Sequence, residues 1–319
     1  MRGFERSTPT YAKRKGFPCK LFDDGAFVAS IPRGRVLWNY GVSVTPEHRL
    51  LSDVSVQFSY STISHSALHR ARFPRIKKID GRLALLSSYH HHIYFHWMFD
   101  VLPRLGLIRE ANIDVDQYIV NTEWPFQNET LSFLGIWSNA IVSPKINDHF
   151  EAETLIVPSI SDAPGPTKRT CKFLRDNLMR SSNASGSFRR FCVDRTDATS
   201  RRVVNHSELM SVLSTMGFES ISLSNRSVAE QMDLFSGAEI VVGPHGAGFT
   251  NAVFCSPGGA VIEFTPRGRY VNPCYRDLAK LVDLRYRNLT CDAAGWPTYD
   301  LIVNVSELVS LINELEMEH

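Results

Sequence analysis

The sequence predicts an α/β protein whose C-terminal half forms a doubly wound, mostly parallel sheet. From residue 190 onwards, short apolar runs that suit strands alternate with segments of helical periodicity. Such an alternation is typical of a parallel sheet with helices packed on its faces. Strands are predicted at 190–194, 219–223, 240–243 and 260–264, and helices at 206–216, 228–235, 247–254, 275–282 and 307–316.

Helix starts in this half have recognisable signals. Asn205 with Glu208, and Ser227 with Glu230, have the spacing of a capping box, in which two side chains satisfy free amides of the first turn. The N-terminal half is less regular and predicts a second α/β layer. Its strands are predicted at 25–31, 34–44, 83–87, 118–121 and 154–158, and its helices at 89–109, with an interruption at Pro103, and at 168–180.

A chain of 319 residues suits two domains of ordinary size. The stretch SSNASGS at 181–187 is small and polar, as a linker is. We therefore predict an N-terminal domain at 1–180 and a C-terminal domain at 188–319.

Composition narrows the class of protein. Hydrophobic residues make up 43% and charged residues 21%, as in soluble globular proteins, and the net charge of +2 argues against a nucleic-acid partner. The six scattered cysteines argue against a disulfide framework, and no apolar run approaches the ~20 residues of a membrane span. The expectation is a cytoplasmic protein. The basic residues near the N-terminus leave open a solvated face or peripheral contact with the inner membrane face.

A glycine-rich loop is the most informative feature. Residues 243–248, Gly-Pro-His-Gly-Ala-Gly, follow a predicted strand and precede a predicted helix, where close backbone approach and free amides favour an anion. Arg195 follows the strand at 190–194, and Glu263 lies near the end of the strand at 260–264. Because ligands bind outside the carboxyl ends of such strands, an arginine, amides and a carboxylate there suit a nucleoside diphosphate.

Other interpretations compete with this one. The glycines could form a simple turn, and Arg195 could pair with Asp194 or Asp197. The order G-x-x-G-x-G also departs from the dinucleotide fingerprint G-x-G-x-x-G. A nicotinamide-dependent enzyme is therefore disfavoured but stays a hypothesis.

Several segments resemble the conserved block of family-61 glycosyltransferases. They are VDR at 193–195, RRVVN at 201–205, MGFE at 216–219, AEQMDLFSGAEIVVGPHGAGFTN at 229–251 and PGGAVIEF at 257–264. In the N-terminal half, YFHWMFDVLPRL at 94–105 resembles the family signature H-W-x-x-D-x-L-P-R-L. Together the segments cover about a third of the chain and follow the family's order.

The resemblance implies a GT-B-like fold of two Rossmann-like domains facing a cleft, a nucleotide-sugar donor (a UDP-sugar is favoured) and inversion at the anomeric carbon. It implies that Arg195 contacts the diphosphate, with Arg201 in the same loop, and that Glu263 faces the ribose. The resemblance further implies that His245, Gly246 and Ala247 hold phosphate or sugar and that Asn251 supports their loop. Gln231 matches a family position without an assigned role.

The chain is more similar to bacterial members associated with capsule or exopolysaccharide synthesis than to secreted eukaryotic members. The expected acceptor is a polysaccharide or a glycolipid, and the transferred group a hexose or pentose. The alternative is a nucleotide- or glycan-binding protein that has lost catalysis.

A histidine–aspartate pattern provides candidates for the catalytic base. His92, His96 and Asp100 are spaced four apart on a predicted helix and share one face. Inversion in one displacement needs a base for the acceptor hydroxyl, and either His96 or Asp100 could be that base. Arg104 could pair with Asp100, and a purely structural aspartate is the competing interpretation.

Two patterns raise the question of a metal. Consecutive histidines at 90–92 point in different directions on a helix, so a shared ion is not expected. Asp114 and Asp116 have Asp-x-Asp spacing, but they precede a strand in what reads as a solvated turn. No metal or other cofactor is expected to be required.

Overall fold

The computed structural model describes residues 5–6, 17–52, 54–55, 65–69, 72–159, 165–179, 190–295 and 297–318. The predicted linker at 181–187 lies outside the described residues, as do most of the basic residues near the N-terminus. The chain divides into two compact units, residues 1–165 and 166–319. This division falls before the helix at 168–178, whereas the predicted domain boundary follows it.

Unit 1 contains a mixed sheet of ten strands among its described residues. Strand β10 lies at its centre, antiparallel to β3 and β4 on one side and parallel to β7 on the other. The parallel set continues through β8 and β9. The strands are β1 (Glu5–Arg6), β2 (Cys19–Leu21), β3 (Phe27–Pro32), β4 (Arg35–Leu37), β5 (Val42–Val44), β6 (Arg49–Leu50), β7 (Lys77–Leu85), β8 (Gln117–Ile119), β9 (Ile141–Val142) and β10 (His149–Pro158).

The helices of unit 1 follow the parallel strands. Helix α1 (Tyr94–His96) continues through a π-helical turn at Trp97–Val101 into α2 (Leu102–Glu110), and α3 spans Pro125–Phe133. Pro103 lies in the first turn of α2, so the predicted interruption is confirmed. Short 3₁₀ segments lie at Ser66–His69 and Ser138–Ala140. The predicted helical start at residue 89 is wrong, because Ile93 has extended backbone angles and the helix begins after it.

Unit 2 contains a six-stranded sheet among its described residues, in the order β12-β11-β13-β14-β15-β16. All neighbours are parallel except β15 and β16. The strands are β11 (Arg190–Asp194), β12 (Glu219–Ser222), β13 (Ile240–Pro244), β14 (Ala260–Pro266), β15 (Arg285–Ala294) and β16 (Asp300–Ile302). The helices are α4 (Lys168–Leu178), α5 (His206–Leu213), α6 (Val228–Ser236), α7 (Cys274–Leu281) and α8 (Val305–Met317), with 3₁₀ segments at Ser214–Met216 and Ala247–Phe254.

Both faces of this second sheet carry helices. Leu209 of α5 and Ile312 of α8 join Ile262 and Phe264 of β14 in one buried cluster. On the other face, Phe191 of β11 packs against the ring of Phe235 in α6 at 5.2 Å. The predicted α/β architecture with a doubly wound, mostly parallel sheet is thereby confirmed for unit 2.

The strand order of unit 2 creates a switch point. The first two strands of the unit lie in the order β12-β11, and the chain then crosses to β13 on the other side of β11. At such a reversal the connections leave adjacent strand ends in opposite directions, which opens a crevice at the carboxyl edge. Residues that follow β11 and β13 therefore border the crevice.

The smaller sequence predictions had mixed outcomes. The capping box of Ser227 with Glu230 is confirmed. That of Asn205 with Glu208 is wrong, because Asn205 instead exchanges hydrogen bonds with the backbone of Val303, which precedes α8. No helix in the described part of the chain is long and apolar enough to cross a membrane.

Candidate functional site

Arg195 lies at the switch point of unit 2, on the residue that follows β11. Its guanidinium lies against the backbone of Gly246: a Cβ at that position would come 2.2 Å from Nη1 and 2.9 Å from Cζ. Only glycine therefore lets the arginine lie flat on the loop. The sequence prediction that Arg195 and the glycine loop share one edge is confirmed by this contact.

The charge of Arg195 is poorly compensated. Its Nη2 donates to the carbonyl of Ser200 at 3.4 Å, and its buried Nε has no hydrogen-bond partner among the described residues. Neither neighbouring aspartate forms an ion pair with it there: Asp194 accepts hydrogen bonds from Thr196, and Asp197 accepts from serine hydroxyls. Burial, together with the nearby charge of Arg201, lowers the pKa of Arg195. A guanidinium in this condition is suited to an anion from solution.

Arg201 adds a second cation under similar conditions. It has a positive φ of 56°, a conformation that non-glycine residues seldom adopt, and its amide donates to the carbonyl of Thr298 at 3.0 Å. Burial lowers the pKa of Arg201, with a further contribution from Arg269. Arg202, next in the chain, differs because it forms an ion pair with Asp300, in which its Nε and Nη2 both donate to Oδ2. The loop therefore presents Arg201 while Arg202 fastens it to β16.

His245 and Glu263 form a hydrogen-bonded pair through the imidazole Nδ1 and the carboxylate Oε1. The other carboxylate oxygen accepts a hydrogen bond from the Tyr286 hydroxyl at 2.5 Å. Glu263 is only 1% exposed, because it alternates with the core residues Ile262 and Phe264 along β14 and faces the opposite layer. Both of its oxygens therefore have protein partners, and the predicted contact with a ribose stays a prediction.

The pair sets the chemistry of His245. Glu263 accepts a hydrogen bond from Nδ1–H, which leaves Nε2 as the ring nitrogen available to a ligand. Burial and the charge of Glu263 raise the pKa of Tyr286, so its hydroxyl stays protonated and remains a donor. The imidazole is thereby held in one orientation at the start of the glycine loop.

A chain of amides supports this loop from below. The side chain of Asn251 donates to the carbonyl of Gly248 at 3.2 Å and to Oε1 of Gln231 at 2.7 Å. The amide nitrogen of Gln231 donates in turn to the carbonyls of Leu223 and Arg226. Gln231 thus links the glycine loop to the turn after β12, a role that the bare sequence did not indicate.

The segment after the glycine loop departs from expectation in its geometry. Ala247 begins a 3₁₀ segment that runs to Phe254, instead of an α-helix. The amide of Phe249 already donates to the carbonyl of Gly246, at 3.0 Å. Gly246, Ala247 and Gly248 precede this first bonded amide, and amides ahead of the first turn are the ones without an intrahelical acceptor.

In unit 1, His96 and Asp100 form a second pair of the same kind. The imidazole Nδ1 lies 2.6 Å from the carboxylate Oδ2, across the π-helical turn. The side chain of His96 is 20% exposed and that of Asp100 only 1%. Single π-helical turns are frequent at functional sites, and this one brings the two side chains together.

Arg104 does not form the predicted ion pair with Asp100. Its Nε donates to the backbone carbonyl of Asp100 and its Nη1 to that of Ser87, each at 3.0 Å, and no salt bridge joins it to the carboxylate among the described residues. Burial lowers the pKa of Arg104 to about 10. Asp100 keeps one oxygen, Oδ1, buried and without a described hydrogen-bond partner. The carboxylate therefore depends on His96 for its hydrogen bond.

His92 does not share the face of His96 and Asp100, because it precedes the first helical residue. The three histidines at 90–92 instead lie in a turn, where the ring of His90 stacks on that of His96 at 5.0 Å. Burial, reinforced by neighbouring histidines, lowers the pKa of both His90 and His91 to about 4. They are consequently neutral near pH 7.

The family model described as "Glycosyltransferase 61" matches residues 94–262. The chain belongs to glycosyltransferase family 61. The protein O-linked-mannose beta-1,4-N-acetylglucosaminyltransferase 2 of Takifugu rubripes is 35% identical over 98 residues, which cover 28% of this chain and 16% of that protein. The chain thus matches about a sixth of the length of this curated relative.

The family match covers His96 and Asp100 in unit 1 and Arg195, Arg201 and His245 in unit 2. Tyr286 lies outside it, and sequence reasoning missed this residue. A lone tyrosine in a strand has no motif, and β15 itself was not predicted.

No group of three or more potential ligands among histidine, cysteine, aspartate and glutamate could hold a metal within the described ranges. Asp114 forms a salt bridge with Arg82 at 3.4 Å, and Asp116 accepts a hydrogen bond from the Arg82 amide. Both aspartates precede β8 and lie at its amino end, away from the carboxyl edge that carries His96.

Proposed function

We propose that this family-61 member is an inverting glycosyltransferase that moves a sugar from a nucleotide-sugar donor, preferably a UDP-sugar, to an acceptor hydroxyl. One observation carries the proposal. The guanidinium of Arg195 lies on Gly246 at the switch point of a parallel sheet, beside a second cation and without a carboxylate partner among the described residues. A nucleoside diphosphate has the charge and the size that such a crevice accepts.

The donor diphosphate is assigned to Arg195, Arg201 and the amides of Gly246 and Ala247. The leaving nucleoside diphosphate gains negative charge as the glycosidic bond breaks, and positioned cations lower the barrier by stabilising it. In this proposal the two arginines do the work that a divalent ion does in other glycosyltransferases, and no metal is required.

Glu263 acts in this proposal as a positioning residue for His245. Its oxygens are engaged by His245 and Tyr286, so it orients the imidazole. A protonated His245 donates through Nε2 to a phosphate oxygen. Direct contact of Glu263 with the ribose is the competing assignment.

His96 is proposed as the catalytic base and Asp100 as the residue that orients it. Asp100 is too deeply buried to meet an acceptor hydroxyl, whereas His96 is part-exposed. With Nδ1–H donated to Asp100, the lone pair of Nε2 takes the proton of the attacking hydroxyl as the new glycosidic bond forms. The arrangement follows the logic of histidine–carboxylate pairs in other enzymes.

The acceptor is proposed to be a polysaccharide or a glycolipid, handled on the cytoplasmic side, as in the bacterial capsule and exopolysaccharide members that the sequence resembles. The GT-B-like arrangement of two Rossmann-like domains, with the donor in unit 2 and the base in unit 1, belongs to the same proposal. The alternative is an inactive nucleotide- or glycan-binding protein, and the following test distinguishes it from an active transferase.

The test is turnover of a panel of UDP-, GDP- and dTDP-sugars. Turnover is measured as release of the nucleoside diphosphate, with and without a glycan acceptor. We expect one donor to be consumed without added metal and an α-linked donor to give a β-linked product by NMR. Binding of a nucleotide without turnover of any donor would favour the inactive alternative.

The assignment of the base is tested with His96→Ala and Asp100→Asn. We expect His96→Ala to lower kcat by about 10²–10⁴-fold and Asp100→Asn to lower it less. His92→Ala, which alters an exposed histidine outside the pair, is the matched control and is expected to be near wild type. If Asp100→Asn abolished transfer and His96→Ala did not, the roles of the two residues would be reversed.

A further inference from the structure

We propose that Trp124 is a stacking platform for a pyranose ring of the acceptor glycan, an inference that rests on the proposed function. Trp124 is the residue before α3, and its side chain is 49% exposed. The exposed indole presents an aromatic face that a ligand can cover. The flat face of an indole suits the C–H face of a sugar ring, which is itself apolar.

Trp124 belongs to the edge of unit 1 that carries the proposed base. Strands β7 and β8 are parallel and in register from Leu83 with Gln117 to Leu85 with Ile119. The segment after β7 leads to the histidines and to His96, and the segment after β8 leads to Trp124. Both segments therefore leave the sheet at the same carboxyl edge.

A buried glutamine fixes Trp124 to the histidine segment. The side-chain oxygen of Gln127 accepts a hydrogen bond from the Trp124 amide at 3.0 Å, and its nitrogen donates to the carbonyl of His91 at 3.0 Å. Gln127 is fully buried, and the ring of Phe126 packs edge-on against that of Tyr94 in α1 at 5.4 Å. The backbone that carries the indole is thus held rigidly to the turn before His96.

The chain offers a matched control in Trp137. It is 62% exposed, but it follows α3, a helix of nine residues and about 13 Å, and it precedes β9. Because β8 and β9 are parallel, Trp137 lies towards the amino ends of the strands. If any exposed tryptophan binds sugars weakly, substitution of Trp124 and of Trp137 should reduce sugar binding alike. If Trp124 is the acceptor platform, only its substitution should reduce binding.

Saturation-transfer-difference NMR tests the proposal without a donor. The probes are the methyl α- and β-pyranosides of glucose, galactose, mannose and N-acetylglucosamine, added in millimolar excess. We expect saturation of the ring C–H protons of at least one pyranoside, reduced about fivefold or more in Trp124→Ala and unchanged in Trp137→Ala. Trp124→Phe, which keeps an aromatic face, is expected to retain part of the signal.

Equal saturation in the parent and Trp124→Ala overturns the platform, and so does absence of saturation by every pyranoside. Thermal unfolding of each variant shows whether the exposed substitution left the fold intact, as we expect. A parallel measurement of stabilisation by UDP separates the two proposals. If UDP stabilises the wild-type protein but no pyranoside gives a signal, only the platform is rejected. If UDP also fails to stabilise it, the proposed function is rejected as well.

Discussion

The carboxylate of Glu263 is held by hydrogen bonds from two sides. His245 and Tyr286 occupy its two oxygens inside a layer from which water is excluded. A buried carboxylate with two donors is stable in place and orients whatever it contacts. We therefore propose an indirect role for Glu263 in donor binding, through the imidazole of His245.

A double-mutant cycle of Glu263→Gln and His245→Ala tests this role. If Glu263 acts through His245, the double variant should bind UDP about as weakly as His245→Ala alone, because both substitutions remove the same contact of the imidazole with UDP. Titration calorimetry with UDP and with 2′-deoxy-UDP provides the measurement. Additive losses, together with a Glu263→Gln variant that no longer distinguishes the two nucleotides, would support direct contact with the ribose instead.

Tyr286→Phe isolates the second donor. Removal of the hydroxyl leaves one oxygen of a buried carboxylate unsatisfied, which costs about 1–3 kcal/mol of stability. We expect a lower Tm and weaker UDP binding, because His245 is less firmly held. A variant with a lower Tm but unchanged UDP binding at every pH would confine Tyr286 to a structural role.

The neutral histidines of unit 1 predict a specific acid sensitivity. The pKa of His91 is lowered from 6.5 to about 4 by burial, so the folded state stays unprotonated where the unfolded state binds a proton. Its contribution to the free energy of unfolding is therefore constant above about pH 6.5 and falls as the pH decreases towards 4. At pH 5 this loss is about 1–2 kcal/mol.

His91→Gln should remove that component, as measured by urea unfolding at pH 7.5 and pH 5.0. The difference in unfolding free energy between the two pH values should shrink relative to wild type. His69→Gln, at an exposed histidine, should leave the difference as it is. An identical pH difference in wild type and His91→Gln would show that His91 is not the acid-sensitive group.

At the scale of elements, the glycine loop depends on the absence of one side chain. A Cβ at Gly246 would occupy the place of the Arg195 guanidinium. In contrast, a Cβ at Gly248 would meet Cδ1 of Leu223 at 2.8 Å, an apolar contact that does not involve the arginine. Two substitutions in one loop thus separate ligand binding from packing.

Gly246→Ala is expected to weaken UDP binding by about tenfold or more, since the displaced Arg195 loses charged hydrogen bonds. Its Tm should stay close to that of wild type. Gly248→Ala should instead lower the Tm by about 2–4 °C while UDP binding is retained. Both quantities come from one thermal-shift titration, and the reverse pattern would contradict the geometry of the loop.

The alternating strands and helices of unit 2 could be predicted because each element carries its own apolar period. Strand β11 is observed at its predicted bounds, and β13 and β14 begin where they were predicted to begin. The hairpin of β15 and β16 could not be predicted, because only Leu289 and Cys291 of β15 are buried and most of the remaining residues of that strand are polar or charged. Local rules also fail where distant partners compete, as when Asn205 bonds to Val303 instead of capping its helix.

The candidate site shows the same division. Arg195 and the glycines could be assigned because a short motif and a strand end place them on one edge. The partners of Glu263 and the bond from the Gln127 side chain to the carbonyl of His91 depend on contacts between separate segments. Such contacts have no periodic or motif signal in a single sequence.

At the scale of the whole molecule, each unit contributes one histidine–carboxylate pair at the carboxyl edge of its parallel strands. Both pairs use Nδ1 of the histidine and a buried carboxylate: His96 with Asp100 and His245 with Glu263. We propose that the first pair abstracts the proton of the acceptor hydroxyl and that the second binds the leaving nucleotide. This division of labour requires that unit 2 bind a nucleoside diphosphate.

The most direct test of that requirement is titration calorimetry of UDP with wild type, Arg195→Ala and Arg202→Ala. Arg202 is the matched control, since it lies in the same loop but is already paired with Asp300. We expect UDP binding by wild type without metal, a loss of affinity of about tenfold or more in Arg195→Ala, and a change of less than about threefold in Arg202→Ala. Equal binding by wild type and Arg195→Ala, or no binding of UDP or any other nucleoside diphosphate, would contradict it.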